Sequence, residues 1–227
     1  MNTNYSENNY LTLVGKVTSE KKLSHEIYGE SFYVFNVEVP RLSNATDIIP
    51  ITISERLIAN FDLEIGKQVK IEGQFRSYNS YENERNRLVL TVFAKEIIEY
   101  SEKLENEENN AKLSNEVILS GYVCKRPIYR QTPFGREISD ILLAVNRAYN
   151  KSDYIPCIAW GRNARFCENM AIGTEIKIIG RVQSRIYEKK YEDGRVEQRT
   201  AYEVSISSLE LTNKDEDTNK IEEQEAM

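Results

Sequence analysis

The sequence predicts an all-β chain, with one short helix per half, folded as two tandem barrels. Three observations carry that prediction: an internal duplication, the same run of short strand-like segments in each half, and glycine and proline punctuation at matching places. Gly15, Gly29 and Pro50 return as Gly121, Gly135 and Pro156, each 106 positions later, and Gly66 and Gly73 return as Gly173 and Gly180, 107 later. The matched segments agree in kind: LVGKV (13–17) with LSGYV (119–123), DIIPITI (47–53) with DYIPCIA (153–159), and EIGKQVKIEGQFRS (64–77) with AIGTEIKIIGRVQS (171–184). Five punctuators in register over so long a stretch mark a duplication.

Each half opens on a strand, Leu11–Val17 or Val117–Val123. A longer strand follows a glycine turn, Ser31–Val39 or Glu137–Val145, and a third carries the proline motif, Ile48–Ile53 or Tyr154–Trp160. SERLIANFDLEIG and GRNARFCENMAIG read as short helices, with Ser54 and Asn163 placed to cap the first turn and the glycine to end the segment. The fourth strand is Gln68–Arg76 or Glu175–Arg185, where KIIGRVQSRI alternates at period two. A hairpin leads to the fifth, Arg87–Ile97 or Gln198–Leu209, and Asp193-Gly194 suits a type I′ turn in the second half. Five short strands with a helix between the third and fourth is the order of an OB-fold, which uses its strand 2–3 face and neighbouring loops to hold oligonucleotides or oligosaccharides. The expected division is one OB-fold over 1–100, an acidic linker over 101–114, a second OB-fold over 115–211 and a disordered acidic tail over 212–227.

Composition excludes several classes. A 40% hydrophobic content fits globular folding. No apolar run approaches the roughly 20 residues that span a bilayer, and the polar start MNTNYSENNY predicts no signal peptide and a cytoplasmic protein. Cys124, Cys157 and Cys167 lack C-x-x-C spacing, and with His25 as the only histidine they make no zinc site. Paired metal-binding acids, a glycine-rich phosphate loop and a nucleophile–histidine set are all missing from the sequence, so neither an enzyme nor a cofactor is expected.

The formal charge of -6 hides an asymmetry. Residues 10–100 carry 11 basic and 13 acidic groups, whereas 115–211 carry 15 and 12. The basic half also holds the rings: Tyr149 after strand 2, Tyr154 and the single tryptophan Trp160 on strand 3, and Tyr187 and Tyr191 toward the last hairpin. Around them lie Lys125, Arg126, Arg147, Lys151, Arg162, Arg181, Arg185, Lys189 and Lys190. Single-stranded nucleic acid is held by bases stacking on such rings, at roughly 1–3 kcal/mol per base, and by cations following the phosphates.

In these segments the chain resembles the bacterial single-stranded DNA-binding proteins. NEVILSGYVCKRP looks like that family's opening strand, ILLAVNRAYN like its second, DYIPCIAWGRNAR like its third, and GRVQSRIYEKKYEDGR like its fourth strand and hairpin. The resemblance places the family's stacking positions on Tyr149, Tyr154, Trp160 and Tyr187, with Tyr191 nearby, and implies sequence-tolerant binding of single-stranded DNA in replication, recombination or repair. In the first half the equivalent positions are Ser43, Ile48, Ser54 and Ser80, so that copy reads as diverged, with Tyr78 or Tyr81 the nearest substitutes. The family builds four-OB assemblies, which for a two-copy chain implies a homodimer. Its tails recruit replication and repair proteins through an apolar tip, whereas this tail is acidic but closes on Gln-Glu-Ala-Met. Two alternatives stay open at this stage: an OB-fold pair that recognises a replication protein, and a binder of single-stranded RNA, since stacking does not read the 2′-hydroxyl.

Overall fold

The computed structural model describes residues 8–41, 43, 45–82, 85–101, 114–191 and 193–212. The first copy comprises β1 (Asn9–Val17), β2 (Lys22–Ile27), β3 (Glu30–Pro40), β4 (Thr46–Ser54), α1 (Glu55–Ile58), β5 (Gln68–Glu82) and β6 (Arg85–Glu99). The second repeats the order as β7 (Asn115–Val123), β8 (Ile128–Gln131), β9 (Glu137–Arg147), β10 (Lys151–Trp160), α2 (Arg162–Glu168), β11 (Glu175–Lys190) and β12 (Val196–Leu211). Each copy closes on itself. β4 runs parallel to β6 at Ile51↔Val92 and β1 returns to β3 at Val17↔Val37; the counterparts are Cys157↔Val204 and Val123↔Leu143. These closures make two OB-fold barrels in tandem.

Alternation fills the interiors. Leu11 and Leu13 on β1, Phe35 and Val37 on β3, Ile49, Ile51 and Ile53 on β4, and Ile71 and Phe75 on β5 are fully buried or nearly so. Leu119, Leu143, Ile155, Ile176 and Val182 do the same in the second barrel. Each such side chain stabilises by about 1.5–3 kcal/mol relative to exposure.

The repeated glycines mark places where one strand crosses over another. A Cβ on Gly121 would sit 2.4 Å from the Ala144 carbonyl oxygen, and one on Gly180 2.4 Å from that of Ser205. Backbone cannot yield there as a side chain can. Gly121→Ala is therefore expected to lower stability by about 1–3 kcal/mol, the usual cost of overpacking, read from a shift in the urea midpoint.

The barrels are joined by β1 pairing antiparallel with β7, so that Leu11 faces Val117, its own counterpart in the repeat. The surrounding contacts obey the same pseudo-two-fold: Val14 N–H donates to the Ser114 carbonyl and Ser120 N–H to that of Asn8, both at 2.8 Å. Beside this seam each copy sends a buried aspartate into the other. The Asp47 carboxylate accepts from the backbone N–H and hydroxyl of Ser184, at 2.6 and 2.9 Å, and the Asp153 carboxylate accepts from Ser77 N–H at 2.7 Å. Both aspartates hold an arginine of their own copy, Arg41 at 2.6 Å and Arg147 at 3.2 Å.

Three local expectations are corrected. Each barrel has a sixth strand, β2 or β8. KLSHEI is exposed throughout, so its alternating Leu23 and Ile27 enter no core; its pairing with β3 is set by a tight turn at Tyr28 and Gly29, with φ of 51° and 76°. Ser54 caps α1 by accepting from Arg56 N–H, but α2 starts at Arg162 after Gly161, with no side-chain cap, so Asn163 lies inside its first turn. The last hairpin is not a type I′ turn, which needs positive φ at both central residues. Gly194 alone has it, at 83°, and Tyr191 closes against Arg195 around a longer loop.

Candidate nucleic-acid interface

On β10, Ile155, Cys157 and Ala159 point into the barrel, which turns Tyr154 and Trp160 outward. Trp160 is 39% exposed, and its indole N–H donates to Ser205 Oγ at 3.1 Å, which ties the ring to β12. Tyr154 shares this face, and its backbone N–H donates to Ser77 Oγ of the first copy at 2.7 Å. Tyr187 lies on β11 in the long β11–β12 arm, with the Arg185 guanidinium 5.8 Å from its ring centre.

Tyr149 stands at the tip of the β9–β10 hairpin. The strands pair as far as Arg147↔Lys151, leaving Ala148, Tyr149 and Asn150 to reverse the chain. Tyr149 and Asn150 take left-handed φ of 60° and 55°, which for residues with a Cβ costs of order 1–3 kcal/mol and persists where the surroundings impose it. The result is a ring 94% exposed.

Tyr191 is different. Its hydroxyl donates to Glu197 and accepts from Arg199, and its ring has Lys189 and Arg195 each 5.2 Å from its centre. Arg199 first, then Tyr191, hold the Glu197 carboxyl down to about 2. This ring is occupied within its own hairpin.

The basic groups separate by location. Lys125 and Arg126 are exposed between β7 and β8, Arg162 is exposed at the start of α2, and Lys190 is exposed at the end of β11. Arg181 is turned away to the seam, where it donates to the Pro40 carbonyl at 2.9 Å and burial lowers its pKa. Arg147 and Lys151 line a cleft of about 430 Å³ at the seam, with Tyr149 on its rim. The facing wall comes from the first copy: Gln74 and Arg76 on β5 and Lys95 on β6. Burial, then the neighbouring Arg147, lowers the Arg76 pKa; burial, then Arg76, lowers that of Lys95. These first-copy cations escaped sequence reading because their net-acidic half hid them, although Gln74 and Arg76 alternate on one strand face.

The thiols take no part. Cys157 and Cys167 are buried, which pushes both pKa values up, Cys167 to about 11. Tyr81 lies outside the residues whose side chains are described, as do most of the linker and nearly all of the tail.

Fold and interface define a tandem OB-fold protein with a ring-bearing, basic second barrel. Residues 114–212 match the family described as "Single-strand binding protein family". A single-stranded DNA-binding protein from Clostridium tetani is 39% identical over 83 residues, covering 34% of this chain and 57% of that one. Single-stranded DNA-binding protein B of Bacillus subtilis is 34% identical over 86 residues, 34% of this chain and 74% of its own. The chain belongs to the single-strand binding protein family. It spans about half the length of several of the curated relatives it matches, 44% for one from Enterococcus faecalis and 50% for one from Staphylococcus aureus. The crystal structure of the wild-type single-stranded DNA binding protein from Thermus aquaticus superposes with a TM-score of 0.72 at 18% identity, over 91% of this chain and 93% of that one, and so shares the two-barrel fold.

Proposed function

We propose that this protein captures single-stranded DNA without strong sequence preference and shields it during replication, recombination or repair. The supporting observation is that Tyr149, Tyr154, Trp160 and Tyr187 are all presented at the surface of one barrel, flanked by Arg147, Lys151, Arg185 and Lys189. Stacking supplies sequence tolerance, because every base offers a π face, and the cations follow the phosphates. The chain acts as a binding module rather than a catalyst. In this reading 115–211 is the principal DNA-binding unit, two chains associate to present four OB-folds in the bacterial cytoplasm, and the acidic tail meets replication or repair proteins.

Trp160 is the sole tryptophan, so its fluorescence reports on the proposed interface directly. Titration with oligo-dT is expected to quench it, with affinity that falls steeply in salt at a slope near -0.7 per phosphate contacted. Quenching by oligo-U at equal affinity would redirect the reading to RNA. An unchanged signal with every nucleic acid at low salt would replace it with recognition of a protein partner.

A further inference from the structure

We propose that the first barrel carries its own base-stacking platform, moved one strand sideways relative to the second, and that the single strand reaches it through the cationic cleft at the seam. This rests on the reading of the second barrel as a single-strand interface.

Position-by-position comparison leaves the first copy bare, since Ser54 stands where Trp160 does. Strand register shows where the rings went. Trp160 pairs with Ile138 on β9 and is hydrogen-bonded to Ser205 on β12. Ser54 pairs with Phe32 on β3, the counterpart of Ile138. Phe93 pairs with Thr52 as Ser205 pairs with Ile158, so Phe93 is the counterpart of Ser205. Where one barrel has Ile–Trp–Ser across three strands, the other has Phe–Ser–Phe.

These rings form a ladder. His25 stacks on Phe32 at 5.0 Å with the planes 7° apart, Phe32 lies 5.7 Å from Phe93, and the Arg76 guanidinium carbon sits 4.0 Å from the Phe93 ring centre. His25 is exposed, and Phe32, Phe93 and Arg76 are half-buried, so the row stays open to solvent on the outer face of the barrel. Packing alone would account for two touching phenylalanines. It does not account for what Arg76 joins them to.

Arg76 also lines the cleft, with Lys95 from its own barrel and Arg147 and Lys151 from the other. Of these four cations only Arg147 has an ion pair among the described residues, with Asp153. The pseudo-two-fold-related side of the seam is built from the same positions with different charge. Register equates Arg76 with Gln183, Thr91 with Glu203 and Lys95 with Ser207, and Lys151 corresponds to Ala45. The cleft side therefore gathers four cations, whereas the other side keeps Arg41 and Arg181, the counterparts of Arg147 and Gln74, and adds the acidic Glu203. Asp153 balances at most one of these four charges, so the cleft keeps an excess of positive charge, and a phosphate backbone is the anion that both a ring ladder and a cation row would share. Tyr149 stands at the rim of the cleft and Phe93 beyond Arg76, so bases have a ring on either side of the crossing.

The test uses the full chain with Phe32→Ile and Phe93→Ser, which install the second barrel's own residues at the same register positions. An oligo-dT of about 8 nucleotides, within the roughly 4–16 that one OB-fold occupies, is compared with one of about 30. Both are followed by Trp160 fluorescence, with the fold checked by circular dichroism. The double variant is expected to bind the short strand like the parent and the long strand about tenfold more weakly. Lys95→Ser, a surface change that spares the ladder, is expected to reduce the salt slope by about 0.7 for the long strand only. Long-strand binding equal to the parent's in both variants, while short-strand quenching persists, overturns the proposal and leaves the second-barrel reading intact. No quenching by either strand in the parent overturns both.

Discussion

Asp153→Ala is expected to lower the unfolding free energy by about 3 kcal/mol. The carboxylate is fully buried, accepts from Ser77 N–H at 2.7 Å, and lies 3.2 Å from Arg147. Truncation strands a buried backbone donor of the other barrel and removes the partner of a half-buried guanidinium, and breaking such a buried pair costs about 3–5 kcal/mol. Asp153→Asn separates the two causes, because an amide oxygen still accepts from Ser77 while the charge is gone. Burial is the strongest influence on this carboxyl and pushes its pKa up, against the pull of Ser77 N–H, Arg147 and Arg76. A folded-state pKa raised above the unfolded value means the folded protein holds the proton more tightly. The cost of ionising Asp153 is then present at neutral pH and fades as pH falls toward the unfolded value near 3.9. Asparagine is therefore expected to cost far less than alanine at pH 7 and to flatten this part of the pH dependence. Urea unfolding of the three proteins at pH 7 and at about pH 5 reads both effects. Alanine and parent midpoints that coincide would show that Asp153 does not hold the barrels together.

That docking was illegible in the sequence for a physical reason. Asp47 and Asp153 occupy the same place in the repeated Asp-x-Ile-Pro motif near the start of β4 and β10, but their partners, Ser184 and Ser77, lie 137 and 76 residues away in the opposite copy. Local pattern carries the barrels themselves, because alternation, glycine crossings and the helix between strands 3 and 4 are short-range features. It does not carry β2 and β8, which are short and largely exposed and are held by the turns that fold them back onto β3 and β9. The ring-bearing barrel was readable because its aromatic residues sit at recognisable positions along each strand. The ladder in the first barrel was not, because His25, Phe32, Arg76 and Phe93 come from four strands whose register no linear comparison supplies. Likewise the seam cations are drawn from both copies, and the docking of the two barrels through β1–β7 and the Asp153–Ser77 contact makes them neighbours.

The second large effect concerns Tyr149 and Trp160. Each alanine substitution is expected to weaken oligo-dT binding by about 1–3 kcal/mol, between roughly fivefold and 150-fold, and Tyr149→Ala provides the cleaner test. Its ring is 94% exposed on a hairpin tip, so removing it takes away almost no packing, and stability should hold within about 0.5 kcal/mol. Tyr149→Phe keeps the ring and discards the hydroxyl; stacking therefore predicts that it binds like the parent. A loss equal to that of alanine would assign the contact to the hydroxyl and contradict stacking. Ring loss and charge loss also diverge in salt. Truncating Tyr149 shifts the affinity at every ionic strength by the same factor, while Lys151→Ala, two residues along on the cleft wall, reduces the slope by about 0.7. Tyr191 supplies the internal control, since its hydroxyl is held by Glu197 and Arg199 and its ring lies between Lys189 and Arg195. Its truncation is expected to loosen the β11–β12 arm more than it weakens binding. If Tyr191→Ala and Tyr149→Ala lose equal affinity with no change in stability, the bases lie along the arm and the hairpin tip is not the entry to the cleft.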